Sequence, residues 1–178
     1  RSSHLGTMGG NTELEEGPGL AIDFGKLAKV ANCGEAVVPV AVQDYDTKEL
    51  LILAYANKLA LEETLKRKMC CLWSTSRNEL WVKGATSGDT LTLREVRVNC
   101  EQNSLLFLVT PTRTGACHTK GPDGMSRRSC YYRRLSIDDG ASRLEHLAGG
   151  KRLAAADSAR DLGEPLCKVA KVEETSSA

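Results

Sequence analysis

The segment 90–98 alternates apolar and polar residues more regularly than any other part of the chain. Its apolar positions are Leu91, Leu93, Val96 and Val98. This period of two is typical of a β-strand with one buried face, and the break at Arg94-Glu95 predicts a β-bulge. Because such a strand is stable only within a larger sheet, the chain must supply further strands.

Other apolar segments supply these strands and a helix. Strands are predicted over 36–43, 49–55, 104–110 and 130–135, and a short helix over 20–32. The main helix is predicted over 58–68, because Asn57 can cap its start and its basic residues follow its acidic ones. The predicted fold class is α+β, a β-rich antiparallel sheet domain with one main helix.

The sequence predicts one domain between weakly patterned ends. Residues 1–19 are interpreted as an expression scar that precedes Met8 and a flexible N-terminus that is Gly-rich and acidic. Residues 20–135 contain the sheet and the main helix and form the predicted domain. Residues 136–178 are predicted to be a weakly structured C-terminal tail, because the apolar pattern fades there.

Charge and composition exclude several classes of function. The formal net charge is +1, from 24 basic and 23 acidic residues, which argues against binding to nucleic acid or to a membrane surface. We find neither an apolar run long enough to span a bilayer nor a secretory signal. The seven cysteines are an odd number, which favours reduced thiols and a cytoplasmic location.

Three of these cysteines could hold a metal. Cys100, Cys117 and Cys130 are separated along the chain, and His118 follows the second of them. Three thiolates with one open position suit a catalytic zinc, whose bound water a neighbouring histidine could deprotonate. The alternative is that the cysteines are small buried side chains and that the histidine is structural.

A polar set surrounds the first of these cysteines. If the strand at 90–98 continues, Asn99, Glu101 and Asn103 share one face, and their side-chain oxygens could bind Mg²⁺. The alternative is a polar strand end that enters a turn.

The segment 73–89 is rich in hydroxyl groups, glycine and basic residues, which suit a phosphorylated ligand. Its candidate substrate-binding residues are Ser74, Ser76, Arg77, Trp81, Lys83, Gly84, Thr86, Ser87, Gly88 and Asp89. The alternative is a hairpin with a polar turn, followed by a glycine-containing loop.

The order of these signals resembles the phosphoribosyl-AMP cyclohydrolase family. The matching segments are LILAYANKLALEETL, WSTSRNELWVKGATSGD, EVRVNCEQNSLLFLV, GACHT and RRSCYYR. The resemblance covers residues 36–134. It implies an enzyme of histidine biosynthesis, a hydrolase that opens the adenine ring of 1-(5-phosphoribosyl)-AMP at the N1–C6 bond.

The same resemblance implies an intertwined homodimer with Zn²⁺ at its interface. It implies that Cys100, Cys117 and Cys130 bind the zinc and that His118 is the catalytic base. Asn99, Glu101 and Asn103 occupy the positions of the family's magnesium-binding aspartates. The stretches 74–77 and 83–89 match segments that hold the phosphates and the base of the purine nucleotide substrate.

The chain departs from the family pattern at the magnesium segment. Where the family reads Asp-Cys-Asp-x-Asp, this chain has Asn99-Cys100-Glu101-Gln102-Asn103. Three formal negative charges become one, which predicts a weaker affinity for Mg²⁺. The alternative function is therefore a diverged member that acts on another adenine nucleotide, or a non-catalytic zinc-stabilised nucleotide-binding dimer.

Overall fold

The strand predicted at 90–98 is confirmed, and its bulge lies where the alternation breaks. A computed structural model of the chain describes residues 12–136 and 143–147. Its helices are α1 (Thr12–Glu16), α2 (Lys26–Ala31) and α3 (Lys58–Arg67). Its strands are β1 (Val38–Asp44), β2 (Leu50–Ala56), β3 (Cys71–Ser74), β4 (Glu79–Val82), β5 (Leu91–Val98), β6 (Leu105–Pro111), β7 (Arg133–Leu135) and β8 (Leu144–His146). The register of β5 against β6 shifts between Leu93 and Glu95.

The main sheet is mixed, so the prediction of an antiparallel sheet is only partly right. Its strand order is β2-β1-β6-β5. The outer pairs are antiparallel, whereas β1 and β6 run parallel, with Val42 opposite Phe107. A parallel pair needs a long crossover, and the chain between these strands contains α3 and a separate hairpin, β3–β4.

The main helix begins and ends as the sequence predicts. The side chain of Asn57 accepts a hydrogen bond from the backbone N–H of Ala60 at 2.9 Å, which caps the start of α3. Lys68 ends the helix in the left-handed conformation, with φ of 56°. Ala60 and Thr64 form the buried face of the helix, which lies against β3.

Mostly aliphatic side chains from the sheet, the helix and the hairpin form the core, together with Phe107. The largest fully buried apolar side chains are Phe107, Leu51, Leu72, Leu91, Leu108, Val40, Val42 and Val109. They come from all four strands of the main sheet and from β3, so the hairpin is fixed against the sheet.

The ends of the described chain contain three further elements. The helix predicted over 20–32 is shorter, because α2 spans only six residues. Residues 12–16, in the segment predicted to be a flexible N-terminus, form α1. In the segment predicted to be a weakly structured tail, β8 pairs with β7. Residues 1–11, 137–142 and 148–178, with Cys167 among them, lie outside the described residues.

Among the residues that the structure describes, no helix is both long and apolar enough to cross a bilayer.

Candidate active site

Two of the three candidate zinc cysteines come together within the loop of residues 112–132, which we name the cysteine loop. The loop folds back on itself, because the backbone N–H of Cys117 bonds to the carbonyl of Arg127 at 3.0 Å. The backbone N–H of Cys130 bonds to the carbonyl of Leu51 at 2.8 Å, which attaches the loop to the edge strand β2. Ser129 adds a hydrogen bond from its hydroxyl to the carbonyl of Leu50 at 2.7 Å.

The paired sulfurs have unequal acidities. Interaction with the Cys130 side chain lowers the pKa of Cys117, whereas interaction with Cys117 and burial raise the pKa of Cys130. The Thr119 hydroxyl lies 3.1 Å from the Cys117 sulfur and favours its thiolate further. Lys83 adds a positive charge near Cys130. Cys117 therefore loses its proton more readily than Cys130. The thiolate that results is the form of cysteine that binds metals.

The third cysteine lies at the opposite edge of the sheet. Cys100 is exposed in the turn after β5, whereas Cys130 is bound to β2. Three strand spacings separate these edges, roughly 14 Å at the usual spacing of ~4.8 Å. Zinc–sulfur bonds are only about 2.3 Å long, so one chain cannot bring all three sulfurs to one ion.

One copy of the chain thus fits two positions of a tetrahedral zinc site. Within residues 12–136 and 143–147, no group of three or more His, Cys, Asp or Glu residues could hold a metal ion. Cys117 and Cys130 offer two soft sulfur ligands, which are the ligand type that zinc prefers. A catalytic zinc at this pair would need a third protein ligand, and Cys100 of the same chain is not within reach of it.

His118 lies beside this sulfur pair on the surface of the cysteine loop. Its side chain is 75% exposed, and its Nε2 atom lies 2.8 Å from Oε1 of Glu15 in α1. Glu15 was not a candidate in the sequence, because it belongs to a segment with no apolar pattern. Its proximity to His118 arises from tertiary packing across 103 residues of chain.

Nine of the ten candidate substrate-binding residues fall into two groups, and Trp81 lies between them in β4. Ser74, Ser76 and Arg77 lie at the tip of the hairpin β3–β4, whereas Lys83 follows its open end. Four residue pairs separate the two ends, which is about 10 Å of strand. The remaining members of the second group form a loop that begins at Gly84 and ends at Asp89.

The loop 84–89 faces the cysteine loop. Asp89 is buried and accepts a hydrogen bond from the Ser126 hydroxyl at 2.7 Å, which lowers the pKa of the carboxyl. Lys120 donates to the same hydroxyl at 2.9 Å, and Arg113 lies against Gly88. Lys120 and Arg113 thus bring positive charge to this loop. The sequence did not single them out, although both are basic residues of the cysteine loop.

The polar set around Cys100 converges, but within a turn rather than along a strand. The β5 strand ends at Val98, and Gln102 has φ of 56° in the turn that follows. Asn99 donates to Asn103 at 2.7 Å, and Asn103 donates to Glu101 at 2.8 Å. The Asn99 oxygen accepts from the backbone N–H of Asn103 at 2.9 Å, so the side-chain oxygens of both asparagines already accept hydrogen bonds within the turn.

Comparison with known proteins identifies the family. The model of the phosphoribosyl-AMP cyclohydrolase family matches residues 52–132. A phosphoribosyl-AMP cyclohydrolase of Chloroherpeton thalassium is 36% identical over 126 residues, covering 71% of this chain and 84% of that protein. The chain belongs to the phosphoribosyl-AMP cyclohydrolase family. The resemblance inferred from the sequence is confirmed, as is the prediction of an enzyme of this family.

Two further phosphoribosyl-AMP cyclohydrolases are similar to this chain over a comparable length. That of Archaeoglobus fulgidus is 44% identical over 105 residues, or 59% of this chain and 91% of the relative. That of Sphingopyxis alaskensis is 45% identical over 114 residues, or 64% of this chain and 85% of the relative. The family match includes the cysteine loop, whereas Glu15 lies before it.

Proposed function

We propose that the chain is a zinc-dependent hydrolase that opens the adenine ring of 1-(5-phosphoribosyl)-AMP at the N1–C6 bond. This reaction is a step of histidine biosynthesis, and we place it in the cytoplasm. The observation that carries the proposal is the sulfur pair Cys117–Cys130, which lies beside His118 inside the segment that matches the family.

His118 accounts for the proton transfers of such a hydrolysis. Water adds to C6 of the purine, the N1–C6 bond breaks, and C6 keeps its amino group as a carboxamide. His118 takes a proton from the attacking water and returns one to N1, so that no net acid is released. Zinc held by Cys117, Cys130 and a third cysteine would supply Lewis-acid activation of the water.

The third cysteine is Cys100 of a second copy in this proposal. Its exposed position, across the sheet from the sulfur pair, supports a site that is completed at an interface between two chains. A homodimer then contains two such sites, because each chain gives one sulfur to its partner and keeps two. This arrangement is the intertwined dimer that the family resemblance implies.

The two groups of candidate substrate-binding residues suit a substrate with two separate phosphates. Ser74, Ser76 and Arg77 provide hydroxyl groups and a guanidinium at the hairpin tip, which suits one phosphate. Lys83 and the loop 84–89 lie about 10 Å away, near the sulfur pair, and suit the nucleotide end of the substrate. Trp81 lies under the Lys83 ammonium at 5.3 Å and offers an aromatic surface to the purine.

Turnover of 1-(5-phosphoribosyl)-AMP tests the proposal directly, because ring opening changes the ultraviolet absorbance. We expect zinc-loaded protein to turn the substrate over, and we expect His118→Asn to lower kcat by at least about 100-fold. Cys117→Ser is expected to lose zinc by metal analysis, whereas Cys33→Ser, outside the family match, is expected to retain it. Absence of turnover by the zinc-loaded wild type would refute the proposal.

The departures from the family pattern favour a second candidate, a diverged member that acts on another adenine nucleotide. Asn99 and Asn103 stand where the family resemblance implies aspartates. The same assay with AMP and ATP separates the candidates. Consumption of 1-(5-phosphoribosyl)-AMP alone eliminates the second one, and zinc binding without any turnover indicates a non-catalytic nucleotide-binding dimer.

A further inference from the structure

The N-terminal residues 12–17 lie across the cysteine loop, and we name them the N-terminal strap. Arg127 donates two hydrogen bonds to the Glu16 carboxylate, at 3.2 and 2.9 Å. The Tyr132 hydroxyl donates to the carbonyl of Glu15 at 2.7 Å, and Arg133 donates to the carbonyl of Gly17 at 3.1 Å. These contacts fix the backbone of the strap without using the Glu15 side chain.

The anchoring residues also support one another. The Arg127 guanidinium lies 4.2 Å from the centre of the Tyr132 ring, and its side chain is only 14% exposed. A planar guanidinium that is stacked on a ring and bonded through Nη2 to both oxygens of a carboxylate has little freedom to move. The strap is therefore held to the same loop that carries Cys117 and Cys130, and the Glu15 carboxylate is placed in advance.

The pre-placed carboxylate contacts one nitrogen of the imidazole beside the sulfur pair. Oε1 of Glu15 lies 2.8 Å from Nε2 of His118. An ionised carboxylate can only accept hydrogen bonds, so the contact requires a hydrogen on Nε2. In the neutral imidazole the other nitrogen, Nδ1, then carries the lone pair, because the two nitrogens share one proton.

We propose that Glu15 is a positioning residue that holds His118 in the Nε2–H tautomer and leaves Nδ1 as the nitrogen that accepts the proton from water. This inference rests on the proposed function, in which His118 is the base. It also goes beyond the family match, since Glu15 lies outside residues 52–132. The 29% exposure of the Glu15 side chain and the 75% exposure of His118 indicate a small contribution to stability. The contact is thus expected to affect catalysis through the orientation and tautomer of the imidazole.

Steady-state kinetics of zinc-loaded full-length variants test the role in catalysis. For Glu15→Ala we expect kcat to fall about tenfold, with KM within about twofold and the melting temperature unchanged. Glu15→Gln keeps an oxygen that can accept from Nε2, so it is expected to retain more activity than Glu15→Ala. Glu13→Gln, in the same helix, is the matched control and is expected to behave as wild type.

Nitrogen-15 NMR of the histidine rings tests the contact independently of turnover. At a pH where the imidazole is neutral, long-range proton–nitrogen correlations distinguish the nitrogen that carries hydrogen, and His118→Asn assigns the signals. We expect Nε2–H for His118 in the wild type and a shift toward the Nδ1–H tautomer in Glu15→Ala.

The outcomes separate this inference from the proposed function. If the wild type turns over the substrate and Glu15→Ala has the same kcat, the positioning role is wrong. An unchanged tautomer in Glu15→Ala overturns it as well. If the wild type has no turnover, the proposed function fails and the positioning role with it, while the NMR comparison still decides whether Glu15 sets the tautomer.

Discussion

Arg128 of the cysteine loop donates a hydrogen bond from Nη2 to Oδ2 of Asp44, the last residue of β1, at 2.5 Å. The Asp44 carboxylate is 2% exposed, and its other oxygen accepts from the backbone N–H groups of Asp46 and Thr47. One buried carboxylate therefore holds the β1–β2 turn in shape and also binds the loop that carries the sulfur pair. The same guanidinium reaches Glu49 at 3.2 Å.

Loss of this contact is expected to destabilise the chain. Arg128→Ala leaves the Asp44 carboxylate buried without its cationic partner, which we expect to lower the free energy of unfolding by about 2 kcal/mol. This value is below the usual range for a buried pair, because about a third of the Arg128 side chain is exposed. Denaturant titration measures the change.

Arg134→Ala is the matched control for that prediction. Arg134 pairs with Glu145, but its side chain is 65% exposed, so we expect a change within about 0.5 kcal/mol. Equal effects of the two substitutions would show that the burial of Asp44 does not determine the contribution of its ion pair.

The loop 84–89 depends on glycine at its first position. Gly84 has φ of 81°, and a Cβ atom there would lie 2.1 Å from the carbonyl oxygen of Asp89. Gly34 has φ of 78°, but nothing lies within 4 Å of a Cβ placed there. We expect Gly34→Ala to cost about 1 kcal/mol from backbone strain and Gly84→Ala at least about 2 kcal/mol more from the clash. Similar costs in thermal unfolding would contradict the steric argument.

A buried hydroxyl connects the main helix to the hairpin. Thr64 accepts a hydrogen bond from the backbone N–H of Cys71 at 3.0 Å and is fully buried. Thr64→Val leaves that N–H without a partner, which we expect to cost about 2 kcal/mol. Thr92 is exposed on β5, so Thr92→Val is expected to change the free energy of unfolding by at most about 0.5 kcal/mol. The two variants are compared by urea unfolding, and equal midpoints would exclude a role for the hydroxyl.

The local elements of this fold could be predicted from the sequence, because their signals are local. Strand β5 and its bulge follow from the alternation around Arg94, and the cap of α3 follows from Asn57. The parallel pairing of β1 with β6 could not be predicted in this way. Alternation indicates which face of a strand is buried but not the direction of its neighbour, and here the neighbour lies beyond α3 and a hairpin.

In the candidate site, too, some residues could be identified from the sequence, whereas the long-range contacts could not. The order of the motifs was enough to single out Cys117, Cys130 and His118. The contact of Glu15 with His118 was not predictable, because it spans 103 residues and depends on anchors that are long-range themselves. Cys100 illustrates a different limit, since the role that we propose for it depends on an assembly of two chains rather than on one.

Aspartate substitutions in the turn after β5 are expected to change how magnesium affects the melting temperature. In the wild type, Asn99 donates to Asn103, so we expect added Mg²⁺ to alter the melting temperature little. In the double variant Asn99→Asp with Asn103→Asp, carboxylates replace both amides and join Glu101. They repel one another without a cation and suit Mg²⁺ when it is present. We expect Mg²⁺ to raise the melting temperature of the double variant only. Asn78→Asp, at the hairpin tip, controls for added charge, and an equal response of all proteins would contradict the prediction.

Mixed dimers test whether each zinc site draws sulfurs from two chains. Cys100→Ser alone and Cys130→Ser alone are each expected to abolish zinc binding and turnover. The two variants are co-expressed with different tags, and the mixed dimer is purified. In this dimer both serine substitutions fall in one of the two zinc sites. The other zinc site combines the intact Cys100 of one chain with the intact Cys117 and Cys130 of its partner. We expect the mixed dimer to bind one zinc and to recover about half of the wild-type kcat per dimer, since one of two sites is whole. A mixed dimer without zinc would mean that each chain builds its own site, which the roughly 14 Å between the sheet edges argues against.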